Sequence, residues 1–78
     1  MKNFVIVRIA NKPDGTIAAP VYSFETEAEA WKEFYRQCAQ AVDSTNLMDA
    51  VSILTKEGFE MDHRAFPHPA PNNEAEQG

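Results

Sequence analysis

Along this chain, strand-like segments, whose side chains face alternate ways with a period of two, flank one segment whose apolar residues recur with a period of roughly 3.6. Residues 4–10 read Phe-Val-Ile-Val-Arg-Ile-Ala, rich in β-branched side chains, and predict a first strand. Asn11-Lys12-Pro13-Asp14-Gly15 follows as a turn, in which proline presets φ and glycine supplies a left-handed position. Residues 17–24 predict a second strand, folded back on the first as a hairpin. Pro20 has no N–H for a ladder, so this strand belongs at an edge or is interrupted there.

The period then lengthens. From Thr26 to about Asp43 the apolar residues Ala28, Trp31, Tyr35, Cys38 and Val42 recur at spacings of three and four, and Ala30, Phe34 and Ala41 widen the stripe. Glutamate, lysine, arginine and glutamine fill the remainder, as in a helix that covers a sheet. Thr26-Glu27-Ala28-Glu29 matches a capping box. Ser44-Thr45-Asn46 favours a loop and ends the helix.

Residues 48–55 predict a third strand and residues 59–66 a fourth, joined by Lys56-Glu57-Gly58 with Gly58 left-handed. In the fourth strand Phe59, Met61, His63 and Ala65 alternate with Glu60, Asp62 and Arg64. The expected fold is α+β: ββαββ, a four-stranded, mainly antiparallel sheet with one amphipathic helix packed on one face. Residues 1–66 form the domain. Residues 67–78 are rich in proline and polar groups and have no large apolar side chain, so they read as a disordered tail. Pro67-His68-Pro69-Ala70-Pro71 favours polyproline II.

A chain of 78 residues is one small domain, marginal unless it packs tightly or self-associates. Cys38 is the sole cysteine, which excludes a disulfide within the chain. No cysteine–histidine cluster suggests zinc, and no cofactor motif is present. The net charge of −5, from 12 acidic and 7 basic residues with no basic cluster, argues against nucleic acid as a partner. No stretch approaches the roughly 18 apolar residues of a membrane span. The apolar run after Met1-Lys2-Asn3 ends at Arg8 and reads as a strand rather than a leader, so the expected location is the cytoplasm.

Candidate chemistry is sparse. Cys38 lies on the apolar helix stripe and reads as a buried small hydrophobe. His63 is expected at the sheet margin and His68 in solvent, with no metal site between them. Trp31, Phe34 and Tyr35 read as core rather than as a ligand pocket. Glu25, Glu27, Glu29 and Glu33 form a solvated, dipole-stabilised row, although a carboxylate row can also imitate phosphates.

One pattern exceeds what a single helix can cover. The first strand is apolar on both faces, with Val5, Val7 and Ile9 on one and Phe4 and Ile6 on the other. The third strand has Val51 and Ile53 on one side and Met48, Ala50 and Leu54 on the other. A sheet apolar on both faces needs both covered. The leading expectation is a non-enzymatic protein–protein interaction module, homodimeric through its sheet, with Phe4, Ile6, Met48 and Leu54 as interface residues. An acidic inhibitor or decoy, phage-encoded in one version, that occupies a basic site on a target is the alternative. A small-molecule binder is third.

Overall fold

The computed structural model describes residues 1–68; the expectations for residues 69–78 lie outside them. The elements follow in the order β1 (Phe4–Asn11), β2 (Ile17–Ala18), β3 (Val21–Phe24), α1 (Glu27–Val42), β4 (Met48–Thr55) and β5 (Glu60–Pro67). The architecture is α+β, one helix against an antiparallel sheet. Strand order is β2-β1-β4-β5, and β3 also pairs with β1. β2 and β3 together occupy the place of the second predicted strand. The break at Ala19–Pro20 falls where proline removes a ladder donor.

The turns follow their local chemistry. Gly15 has φ +92° and Gly58 has φ +97°, positions that a side chain would strain. Thr26 caps α1: its hydroxyl accepts from the Glu29 N–H at 3.2 Å, and the Glu29 carboxylate accepts from the Thr26 N–H at 3.4 Å. Asp43 ends the helix.

Period-two alternation sorts β1 into a covered row, Phe4, Ile6, Arg8 and Ala10, and an uncovered row, Val5, Val7 and Ile9. β4 sorts likewise, with Asp49, Val51 and Ile53 under the helix. The core cluster is Ile6, Ala30, Phe34, Val51 and Ile53, all at 0 % exposure. Phe4, Tyr22, Phe24, Trp31, Cys38, Met61 and Phe66 pack around it.

Two expectations are corrected. The buried face of α1 is centred on Ala30, Phe34, Gln37 and Ala41, while Tyr35 and Val42 are more than half exposed. The helix is therefore rotated away from the stripe expected from Ala28, Tyr35 and Val42. Gln37 can sit in the middle because its amide is bonded there. Trp31 lies on the flank, half-buried, edge-on to Phe34 and stacked on Tyr35, with its indole N–H donating to Glu27 at 3.0 Å.

The second correction concerns the fourth predicted strand. A register shift at Ile53/Leu54 leaves Met61 unpaired between Glu60 and Asp62. This bulge breaks the simple alternation. Met61 turns to the core, and Asp62, Arg64 and Phe66 share the helix side with Val51 and Ile53. His63 and Ala65 lie on the other face, and Phe59 falls in the turn before the strand, largely exposed.

Phe34, at the centre of the cluster, should be the side chain most costly to remove. Phe34→Ala is expected to lower unfolding free energy by about 3–5 kcal/mol, the range for a buried phenylalanine. Trp31→Ala should cost clearly less. Urea melts followed by circular dichroism check the order of the two.

Candidate functional site

The uncovered face of the sheet is the largest feature that the fold leaves unexplained. On it β1 contributes Val5, Val7, Ile9 and Asn11, and β2 and β3 contribute Ile17, Val21 and Ser23. β4 adds Met48, Ala50, Ser52 and Leu54, and β5 adds Glu60, His63, Ala65 and Pro67. Ile17 is 67 % exposed, Val21 60 % and Ile9 42 %. Glu60, at the loop end, is the one Asp, Glu, Lys or Arg among these positions. In a chain with 12 acidic residues that is a marked exclusion of charge.

His63 and Ser52 form a cross-strand pair on this face. The Ser52 hydroxyl and His63 Nδ1 are 2.8 Å apart, and a Glu60 carboxylate oxygen lies 3.7 Å from the same nitrogen. A nucleophile–base–carboxylate relay needs the hydroxyl and the carboxylate on opposite ring nitrogens. Here both meet Nδ1, so the trio orients the ring and has no relay geometry.

Under the helix, at its C-terminal end, lies a buried polar cluster. Asp49 is fully buried. Its Oδ1 accepts from Arg8 at 3.1 Å and from Asn46 at 3.0 Å. Arg8 also donates to Gln37 at 3.0 Å and Gln40 at 3.2 Å, which ties β1 to α1. His68 Nε2 lies 3.3 Å from Asp49 Oδ2, and the His68 N–H donates to the Leu47 carbonyl at 2.9 Å. Expected in solvent, His68 is instead held against the end of β4. Burial pushes the Asp49 carboxyl up. Hydrogen bonds from Ser44, Asn46 and Arg8, with the Arg8 charge, outweigh that and hold it below the usual carboxylate value. The sequence carried a signal for this pair: Arg8 and Asp49 are the polar exceptions in two otherwise apolar covered rows.

The four expected interface residues do not share a face. Met48 and Leu54 lie on the uncovered side. Phe4 and Ile6 lie under α1, with Ile6 at 0 % exposure. The first strand is apolar on both sides, and the helix takes the side with the larger aromatic, so Val5, Val7 and Ile9 form the open row. The acidic row is locally occupied. Glu25 pairs with the N-terminus, Glu27 accepts from Trp31, Glu29 closes the cap, and Glu33 pairs with Arg36 at 2.6 Å. Among the described residues no group of three acidic, histidine or cysteine side chains is placed to hold a metal ion.

No protein-family model, no curated protein and no solved structure matches the chain. The functional argument therefore rests on the molecule's own surfaces.

Breaking the buried ion pair from one side should be severe. Arg8→Ala leaves the Asp49 charge uncompensated and should cost about 3–5 kcal/mol. Because the Asp49 carboxyl is depressed, the stability it supplies is complete above its ordinary value of about 4 and is lost as pH falls below it. Asp49→Asn should make the acid limb of the thermal midpoint against pH shallower below about pH 4. An unchanged limb would contradict this.

Cys38 is half-buried, and burial raises its thiol, with Arg64 and Arg8 partly opposing and Asp62 adding to the rise. Thiol reagents at neutral pH should label it more slowly than a free cysteine, with the full rate restored in denaturant.

Proposed function

We propose that this protein is a non-enzymatic interaction module that self-associates face to face through the uncovered side of its sheet. The observation that carries the reading is the charge-poor apolar face of a chain whose net charge is −5. Two such acidic molecules repel at long range, and a neutral face is where that repulsion costs least. From strand rise and spacing the face measures roughly 25 by 20 Å. That is about 500 Å² in projection, against about 600 Å² of accessible surface per partner at the low end of specific interfaces, and a corrugated face exposes more area than its projection.

The edges support a face contact over an edge contact. His68 donates its N–H towards β4, so the backbone nitrogens of the alternate residues His63, Ala65 and Pro67 face outward. Proline has no N–H, and the His63 N–H is taken by the Asp62 carboxylate at 2.8 Å. Between His63 and Pro67 that leaves the Ala65 N–H alone. The opposite edge is short and is broken at Pro20. Natural sheets blunt their edges against further pairing in these ways.

The non-enzymatic part of the reading is supported by the shared-nitrogen geometry at His63. A lone, half-buried thiol suits a reducing compartment, and the reading places the protein in the cytoplasm. Among the described residues no helix is long and apolar enough to cross a membrane.

Sedimentation equilibrium at micromolar concentration should give twice the chain mass of 8.7 kDa. Val7→Glu should give a folded monomer, because the new carboxylate is solvated on the open face of one copy and buried without a partner between two. Ile6→Glu, under the helix, should unfold the chain instead. A wild-type monomer across the concentration range would remove the reading.

A further inference from the structure

We propose that two copies meet about a two-fold axis parallel to the strands and lying between β1 and β4. The β1–β3 half of each face then covers the β4–β5 half of the other. This register rests on the self-association reading above and specifies its geometry.

The argument is one of shape. Across the sheet, Val21 and Val7 lie in one row with Ser52 and His63, and Ile9 lies in the next with Ala50 and Ala65. In the β1–β3 half Val7, Val21 and Ile9 are thus β-branched, whereas in the β4–β5 half Ala50, Ala65 and Ser52 are small and the His63 ring, bonded to the Ser52 hydroxyl, is the one large side chain of these two rows. Leu54 and Met48 flank the small residues on β4. Interfaces pack as densely as interiors, so ridges must meet hollows.

Only one of the two in-plane axes does that. An axis parallel to the strands exchanges left and right, so Val7 meets Ser52, Ile9 meets Ala50 and Val21 meets His63 of the other copy. An axis across the strands sets β1 over β1 and β4 over β4, so that Val7 meets Ile9 of the other copy while the small Ser52 and Ala50 meet each other. The first axis also sets Glu60 opposite the exposed Ser23 hydroxyl, a donor for the one carboxylate on the face. Aligned sheets cross at about 30°, so the register is tightest at the central rows.

Cross-linking separates the two axes. On a Cys38→Ser background, Val21→Cys and His63→Cys are prepared singly, weighed in solution, then mixed and treated with a short bifunctional maleimide. Under the proposed axis Val21 lies opposite His63, whereas the two Val21 positions are about three strand spacings apart, roughly 14 Å sideways. The mixture should cross-link at least tenfold more than either variant alone. Self-linking of Val21→Cys alone at the level of the mixture would overturn the register, as would a dimer that does not cross-link. Isotope-filtered nuclear Overhauser effects on the unmodified dimer give a reading free of the substitutions. Contacts from Val21 methyl groups to the His63 ring of the other copy support the axis, and their absence overturns it. A wild-type monomer by mass instead overturns self-association itself, and the register with it.

Discussion

One helix can cover one face of a sheet, and the rest of this structure follows from that limit. The contact that decides which face is covered is Phe34 against Ile6, Val51 and Ile53, with Ala30 and Ala41 allowing the helix to approach closely. Small residues beside a large aromatic give a dense contact with few voids, which is where core stability comes from. With β1 and β4 central and the helix committed to their even and odd rows respectively, the opposite rows have no cover among the described residues.

The Arg8–Asp49 pair works within that contact. A buried ion pair is weak support for stability, because desolvation of both charges offsets their attraction. Its value here is positional. Arg8 reaches two glutamines of α1 and one carboxylate of β4, so the helix cannot slide or rotate without breaking charge-assisted bonds. This explains why the buried stripe of α1 passes through Gln37 while Tyr35 and Val42 stay out. The same carboxylate accepts from Asn46 of the loop after α1 and lies 3.3 Å from His68 Nε2, just beyond β5. One side chain thus organises the end of the domain at which the helix and two strands finish.

The uncovered face and the two edges are complementary parts of one surface. Edges that offer few free donors limit open-ended strand addition, and a charge-poor face suits the closed, paired arrangement proposed above. Segregation of charge also bears on solubility. The acidic groups of the helix are held in local bonds on the far side of the molecule, so the net charge that keeps copies apart in general is not focused on the face through which they would meet.

The sequence by itself determined the elements, their order and their punctuation. The capping box at Thr26, the two left-handed glycines and the disruption at Pro20 are local effects, set by residues within a few positions of one another. It also determined that the sheet is apolar on both sides, since period-two patterning needs no knowledge of the neighbours. Only the tertiary structure decided which apolar row is buried. Phe4 and Ile6 compete with Val5, Val7 and Ile9 for the helix, and the choice depends on long-range packing against Phe34. The helix phase was likewise hidden, because Gln37 becomes a core residue only when Arg8 arrives from another strand. The bulge at Met61 was hidden as well, because a strand's alternation does not show where its partner drops a residue. His68, polar and flanked by prolines, has the local chemistry of a solvated tail. Its place beside a buried carboxylate follows from β5 pairing with β4 one residue further than its own pattern required.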